Sequence, residues 1–148
     1  MDKLAMINSF IARYQTLVIA TENEQQPFAT RIFFVEDPAT ATALRLYGTL
    51  LISSRKLANL RKNPRVGIFM GPDLPSTWLE ATARARILGQ ETEAAAVRTK
   101  LAQKSPAAAT FIARVPTAAV ELEVNWLRIT DLSGGTPFTE ITFQPGEL

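Results

Sequence analysis

The amino-acid sequence predicts an α+β fold built around an antiparallel β-barrel. Strand patterns dominate the chain, and the helical patterns between them are few: the order is a helix, three strands, a short helix, two strands, a helix and a long strand. Residues 78–87 alternate strictly between an apolar and a polar face, as a barrel strand does. We expect a single domain over residues 1–148, a length that fits one hydrophobic core.

The N-terminal segment predicts a helix that begins at Asp2, because aspartate caps helix N-termini well. Apolar side chains then recur at helical spacing, at Leu4, Ile7, Phe10, Ile11 and Tyr14. This apolar stripe indicates that the helix lies against the barrel or plugs one end of it.

Three strands are expected next, at residues 17–21, 28–35 and 43–48. The polar segment 22–27 ends in proline, as a hairpin turn can. The second strand is apolar at every position from Ile32 to Val35, which predicts that other elements cover both of its faces there.

A short helix is predicted from Ser54 to Lys62, because Asn63-Pro64 stops a helix. Two strands follow, at residues 65–70 and 78–87, with a turn at residues 71–73. The second of these strands places small alanines on its apolar face, which indicates a crowded interior.

The C-terminal part predicts a helix at residues 91–104, with acidic residues first and lysines last, as the helix dipole favours. The final long strand begins near Thr117. Its apolar phase slips at Trp126-Leu127, which predicts a β-bulge or sharp bend. The tail from residue 134 is expected to be partly irregular, with one edge strand at residues 139–143.

The composition excludes several kinds of chemistry. The sequence has no cysteine and no histidine, so thiolate nucleophiles, disulfides and the usual general base are absent. The same two absences remove the commonest ligands of metal ions, and we expect no metal site. A bound organic cofactor therefore becomes more plausible than catalysis by side chains alone.

The charge and hydropathy patterns predict where the protein works. A net charge of +2 is too small to indicate a nucleic-acid or membrane partner, so we expect neither. We find no signal-peptide pattern, and no apolar run approaches the roughly 20 residues that span a bilayer. We expect a cytoplasmic protein.

The predicted helix start at Ser54-Arg55-Lys56 is the most unusual segment. A helix N-terminus carries partial positive charge, so each cation in its first turn costs about 0.3–1 kcal/mol. A bound anion would reverse that effect, because backbone N–H groups, a hydroxyl and two cations would converge on it. The alternative is that Ser53 or Ser54 only caps the helix and the two cations point to solvent.

Several other residues are candidates for a binding site. Arg31 lies in an apolar strand, where it contacts a ligand phosphate or pairs with an acid such as Glu80 on a neighbouring strand. Tyr47 at a strand end, followed by Gly48, either lets a ligand approach the backbone or is an ordinary strand end. Trp126, like Trp78, is a candidate wall for an aromatic ligand, although large aromatic residues in strands belong more often to the core.

The sequence resembles the FMN-binding split barrels related to pyridoxamine 5′-phosphate oxidase, over roughly residues 4–133. The most specific part is the Ser-Arg-Lys helix that runs on to Asn-Pro-Arg-Val. The matching segments are Ala29-Thr30-Arg31-Ile32-Phe33-Phe34-Val35, Leu46-Tyr47-Gly48 and Ser54-Arg55-Lys56-Leu57-Ala58-Asn59-Leu60-Arg61-Lys62-Asn63-Pro64-Arg65-Val66.

The resemblance implies a homodimeric antiparallel split barrel of about six strands, with FMN at the subunit interface. Arg31, Arg55 and Lys56 would hold the FMN phosphate beside Ser54. Backbone at Ile32-Phe33 and at Tyr47-Gly48 would flank the ribityl chain and the ring, and Trp126 would reach the flavin of the partner. The implied activity is that of a flavoprotein oxidoreductase on a small molecule.

Two departures from the family pattern limit this expectation. Glu36 stands where true pyridoxamine 5′-phosphate oxidases carry a lysine, and it would repel a phosphate unless it faces away. The sequence also lacks their arginine-containing C-terminal segment, so we expect a different substrate. The alternatives are a non-catalytic module that binds flavin or another phosphorylated metabolite, and a ligand-free dimeric scaffold; haem is disfavoured because no histidine can ligate iron.

Overall fold

The computed structural model describes residues 2–72 and 76–143. Its helices are α1 (Lys3–Ala12), α2 (Arg55–Lys62), α3 (Glu91–Lys104) and α4 (Pro106–Arg114). Its strands are β1 (Thr16–Asn23), β2 (Gln26–Glu36), β3 (Arg45–Leu51), β4 (Arg65–Met70), β5 (Thr77–Ile87), β6 (Thr117–Asp131) and β7 (Phe138–Thr142). Among the helices of the described ranges, none is long and apolar enough to cross a lipid bilayer.

The strands form an antiparallel sheet that closes on itself. Their order is β3-β2-β1-β4-β5-β6-β7, and β3 also pairs with β6, which closes a barrel of six strands. This closing pair runs from Arg45 opposite Glu123 to Leu51 opposite Thr117. β7 is added outside the barrel on the second half of β6, so the predicted α+β antiparallel barrel is confirmed.

The barrel is split between β2 and β3. These strands pair over three residues only, from Phe34 opposite Gly48 to Glu36 opposite Leu46. Beyond Gly48 the rest of β3 continues to pair with β6, while the preceding part of β2 pairs with β1. The two strands therefore diverge at Gly48, and a gap opens between them.

The predicted β-bulge lies in β6, one residue before the expected position. Ala83 of β5 pairs with Val124 but the adjacent Thr82 pairs with Trp126, so Asn125 is the extra residue. Val124 and Leu127 are both buried, whereas Asn125 is exposed and Trp126 only half-buried. Trp126 therefore does not continue the inner face, because the bulge places two successive residues outside the barrel.

The barrel interior is filled by the inner faces of the strands and by α1. Ile7, Phe10 and Ile11 of α1 are at most 1% exposed and belong to the same apolar cluster as the strand residues. Asp2 caps this helix, its side chain accepting a hydrogen bond from the backbone N–H of Ala5 at 2.8 Å. The predicted packing of the N-terminal helix against the barrel is thus confirmed.

A second apolar cluster lies outside the barrel, where α3 and α4 cover β2 and β3. Phe33, Val35 and Tyr47 pack against it, while Ile32 and Phe34 face the interior. The expectation that residues 32–35 are covered on both faces is therefore confirmed.

Some expected boundaries were wrong. The turn between β1 and β2 is shorter than residues 22–27: Glu24 and Gln25 form it with φ of 51° and 68°, and Pro27 already lies in β2. β3 extends to Leu51, so Tyr47 and Gly48 lie within the strand rather than at its end. Asp73 of the predicted turn and residues 144–148 of the tail lie outside the described residues.

Helix α4 was not predicted. Ser105 caps it, accepting a hydrogen bond from the N–H of Ala108, and Pro106 occupies its first turn. This start signal is readable in the sequence. The body is short and rich in alanine, and Ala108 is the one residue of α4 that is buried, although Ala108, Phe111 and Ile112 do recur at helical spacing.

The backbone at Gly48 lies too close to β2 for a side chain. A Cβ there would be 3.0 Å from the Phe33 carbonyl oxygen and 3.0 Å from Ile32 Cδ1. Its φ is not positive, so the requirement is one of space rather than backbone conformation. Glycine is needed at this position because β2 and β3 approach and then diverge here.

We predict that Gly48→Ala lowers the free energy of unfolding by about 1–3 kcal/mol, because its methyl group would collide with fixed backbone. Gly67→Ala is the matched control: a Cβ there lies 3.6 Å from Ala20 Cβ, an ordinary contact. We expect the control to be neutral or slightly stabilising. Urea unfolding of both variants measures the difference, and equal losses would contradict the steric explanation.

Candidate functional site

The gap between β2 and β3 forms a cleft with a volume of about 290 Å³, which we call the main cleft. Lys56 from the start of α2 stands at one side of it, and Phe111 from α4 lines another. The remaining walls come from β1, β2 and β3. The complete lining is Thr16, Arg31, Ile32, Phe33, Thr49, Leu51, Lys56 and Phe111.

The start of α2 has the arrangement that the sequence predicts. Ser54 is the N-cap, its side chain accepting a hydrogen bond from the N–H of Leu57 at 3.3 Å. No acidic residue lies in the first turn. Lys56 turns into the cleft and is half-buried, whereas Arg55 is exposed and lies over the Phe28 ring, 5.2 Å from its centroid. Of the two predicted cations, Lys56 is thus the one that lines the cleft directly.

The cations at the cleft are not neutralised by the protein. Within residues 2–72 and 76–143, none of the ion pairs includes Arg31, Arg55 or Lys56. Burial also lowers the pKa of Lys56 from its ordinary value, because the ammonium group loses hydration without gaining a carboxylate. An anion in the cleft would neutralise these cations and would favour the charged form of Lys56.

Arg31 is not buried in an apolar strand. Its side chain is exposed and lines the main cleft. The alternative pairing with Glu80 was wrong: Glu80 accepts a hydrogen bond from Arg128 Nε at 2.8 Å, and β2 is not a neighbour of β5. The sequence alone could not identify the partner of Glu80, because the order of the strands in the sheet decides which acid lies beside which base.

Thr49 is a site residue that the sequence did not reveal. It is 2% exposed, it lines the cleft, and its hydroxyl oxygen has no hydrogen-bond partner within the described part of the chain. Leaving a buried hydroxyl unpaired costs about 1–3 kcal/mol. The group is therefore available to a ligand that reaches the floor of the cleft.

Glu36 does not oppose an anion here. Its carboxylate accepts a hydrogen bond from Lys104 Nζ of α3 at 2.7 Å, and Lys104 Nζ also lies 3.8 Å from the centre of the Phe34 ring. Glu36 does not line the cleft. The charge that departs from the family pattern is thus neutralised by a residue of α3.

A second cleft of about 240 Å³ adjoins the main one and shares Thr16 and Arg31 with it. Its walls include Tyr14 at the end of α1 and the exposed ring of Phe69 on β4. Arg31 therefore stands between the two clefts.

The remaining predicted site residues lie in different places. Ile32 and Phe33 line the main cleft, as expected of residues beside a ligand, and Gly48 marks the point where its walls diverge.

Tyr47 faces α3 and donates a hydrogen bond to Asp37 at 3.2 Å. Burial is the main cause that raises the pKa of Tyr47 to about 12, and the nearby Asp37 carboxylate is the second. Trp126 does not line the cleft of its own chain.

Comparison of the sequence with protein families gives one match: the model described as "Pyridoxamine 5′-phosphate oxidase" covers residues 5–131. No curated protein matches the sequence.

Solved structures with the same fold come from several bacteria. A protein related to general stress protein 26, of the pyridoxinephosphate oxidase family, from Clostridium acetobutylicum aligns with TM-score 0.71 and 13% identity over 96% of each chain. A candidate pyridoxamine 5′-phosphate oxidase from Listeria innocua aligns with TM-score 0.69 and 18% identity over 86% of this chain and 98% of its own.

A third similar structure is that of a haem protein. HutZ, the haem storage protein from Vibrio cholerae, aligns with TM-score 0.67 and 19% identity over 84% of this chain and 91% of its own. Similarities at this level of identity establish the fold alone.

We predict that Thr49→Val raises the free energy of unfolding by about 1 kcal/mol, since it removes an unpaired buried hydroxyl while keeping the side-chain shape. Thr21→Val is the matched control: Thr21 is also buried, but its hydroxyl accepts a hydrogen bond from Asn59 Nδ2 at 3.0 Å. The control is expected to lose about 1–3 kcal/mol because the Asn59 amide stays buried and unpaired. Thermal and urea unfolding distinguish the two signs; a comparable loss in both variants would contradict the assignment of Thr49.

Proposed function

The chain belongs to the pyridoxamine 5′-phosphate oxidase family, and we propose that it binds FMN in the main cleft and uses it as an oxidoreductase acting on a small molecule. One observation carries the proposal: Arg31 and Lys56, both without an ion-pair partner in the described ranges, converge with the unpartnered Thr49 hydroxyl on one cleft beside a helix N-terminus.

A phosphate group fits this arrangement better than other anions of the same size. It offers three strong acceptor oxygens and a charge of about −1.5 to −2 at neutral pH. Arginine and lysine side chains and the first N–H groups of α2 are the donors that proteins use for phosphate. Each charge-assisted hydrogen bond contributes about 1.5–3 kcal/mol, so Arg31 and Lys56, which line the cleft, and Arg55 beside them would supply most of the affinity.

The rest of the cleft suits the apolar part of a flavin. Ile32, Phe33, Leu51 and Phe111 exclude water from the space next to the cations. FMN supplies hydride and electron transfer when it is bound. The protein's own part is to hold the phosphate, orient the ring against β2 and β3, and keep water from its buried face.

Among the residues that line the cleft, Lys56 is the one that can exchange a proton, because an arginine guanidinium stays protonated in proteins. Tyr47 is unsuited to proton donation because its pKa is raised to about 12 and its hydroxyl is held by Asp37. We infer that protons reach the cleft from solvent, past Arg31 and the second cleft.

We also propose that two copies of the chain associate through the outer face of the sheet. One row crosses six strands there, formed by Arg31, Val18, Phe69, Glu80, Arg128 and Glu140. The next row has mainly small side chains, formed by Ala29, Ala20, Gly67, Thr82, Trp126 and Thr142.

Three features of this face favour a second copy as its occupant. Phe69 is 41% and Phe138 55% exposed, although large apolar side chains are normally covered. Arg128 is already neutralised by Glu80 and Glu140, so a contact around this residue buries no unpaired cation. The face also runs continuously to Arg31, which would place the second copy next to the cleft.

We predict that the pair Arg55→Ala with Lys56→Ala raises the Kd of FMN about a hundredfold or more, because two of the three proposed phosphate cations are lost. Riboflavin lacks the phosphate, so its Kd should hardly change. Arg61→Ala with Lys62→Ala is the matched control, since it removes the same charge from the exposed last turn of the same helix. Quenching of flavin fluorescence measures each Kd.

Equal losses for FMN and riboflavin, or equal losses in the control pair, would refute the phosphate assignment. A wild-type protein that binds hemin at micromolar concentration but not FMN would replace flavin by haem as the ligand. If FMN binds but NADH and NADPH fail to bleach its absorbance anaerobically, and no dye accepts electrons from it, the protein is a binding module and not an oxidoreductase.

We predict that Phe69→Ser with Phe138→Ser raises the dimer dissociation constant at least tenfold, because apolar side chains are removed from the shared face. Ile52→Ser is the matched control: Ile52 is 50% exposed but lies in the loop before α2. Sedimentation equilibrium measures the association. A wild-type monomer at 100 µM, or the same weakening in the control, would be evidence against this face.

A further inference from the structure

Helix α4 crosses the main cleft with little packing of its own. Ala108 is the residue that it buries fully, and its contact with the rest of the protein is mainly through α3. It nevertheless holds Phe111 at the cleft. The helix is therefore positioned by its packing on α3 and by its two ends.

Both ends of α4 are attached to the parts that form the cleft. At its N-terminus, the buried Ser105 donates a hydrogen bond to the side chain of Gln15 at 2.9 Å, just before β1. At its C-terminus, the carbonyl of Pro116 accepts a hydrogen bond from the N–H of Ile52 at 3.1 Å, in the loop that leads to α2. The helix is therefore held between the start of β1 and the start of the cation-bearing helix.

Phe111 is the large side chain that α4 presents to the cleft. Its ring is half-buried and lies 5.9 Å from the Phe33 ring, at an angle of 49°. The neighbouring Ile112 packs instead against the α3 cluster. An aromatic surface thus remains open to the cleft on the wall formed by α4.

The charged and the aromatic side chains of the cleft come from different parts of the chain. The charged groups come from β2 and α2, whereas Phe111 comes from the segment between β5 and β6. A planar aromatic ligand that stacks on a ring of this kind gains affinity beyond simple burial, whereas a sugar phosphate without an aromatic ring gains nothing from it.

We propose that Phe111 is a specificity-determining residue that selects ligands carrying a planar aromatic ring, independently of their phosphate. The proposal rests on the proposed FMN site, because it assigns the ring-binding wall of that same cleft. Lys56 then recognises the anion and Phe111 the ring, so the two contributions are separable by mutation.

The test compares Phe111→Ala, Phe111→Leu and Ile112→Ala with three probes: FMN, riboflavin and ribose 5-phosphate. Phe111→Ala is expected to raise the Kd of FMN and of riboflavin by the same factor, about threefold to tenfold, and to leave the Kd of ribose 5-phosphate unchanged. Phe111→Leu should show a smaller rise, because it keeps apolar bulk without the ring. Ile112→Ala controls for displacement of α4 and should leave all three constants unchanged.

Unchanged flavin binding in Phe111→Ala overturns the inference. An equal loss in Ile112→Ala, or a loss of ribose 5-phosphate binding in Phe111→Ala, also overturns it, because the helix would then act only through its position. These outcomes are distinguishable from failure of the proposed function: that failure appears as wild-type protein that does not bind FMN, or as an Arg55/Lys56 pair whose loss does not discriminate FMN from riboflavin.

Discussion

The pairing of β3 with β6 is the constraint on which the rest of the structure depends. β3 pairs with β6 along its whole length, residues 45–51, but with β2 over three residues only. The closure buries the inner faces of six strands around α1, and the same geometry opens the gap that becomes the main cleft. Gly48 lies at the last paired position of β2 and β3, where the strands are so close that a Cβ would touch the Phe33 carbonyl. The fold and the site are thus consequences of one strand that keeps its pairing with β6 and loses its pairing with β2.

The cleft collects groups that are unfavourable in the empty protein. A lysine in the first turn of α2 opposes the helix dipole, and its burial is uncompensated by a carboxylate in the described ranges. A threonine hydroxyl is enclosed without a partner. Elsewhere the protein avoids such costs: Glu36 is neutralised by Lys104, and the Thr21 hydroxyl is paired with Asn59. This contrast is what distinguishes a binding site from a defect of packing.

Local patterns in the sequence predicted most of the fold. Alternation within β5 and capping at Ser54 are properties of neighbouring residues, and α3 was correct at both ends. The phase slip in β6 also predicted the bulge, one residue from its position at Asn125. Helix α4 was missed because its nine residues are few and mostly alanine, even though Ser105-Pro106 is a readable start signal and Ala108, Phe111 and Ile112 recur at helical spacing. The site was predicted only in part, since Thr49 and Phe111 acquire their roles from the divergence of strands and the path of α4, which no local pattern contains.

The segment that carries α3 and α4 joins two strands that are direct neighbours. Ile87 at the end of β5 pairs with Val120 near the start of β6, so residues 88–116 leave the sheet and return to almost the same place. A connection of this kind can be shortened, lengthened or replaced at small entropic cost, about 0.6 kcal/mol for each doubling of its length. The strand pairings of the barrel and the first turn of α2 lie outside this segment, although it covers the outer face of β2 and β3. The architecture therefore permits the two sides of the cleft to evolve at different rates. The cations of β2 and α2 can stay constant, while changes in the segment that carries α4 alter which ligand the cleft binds.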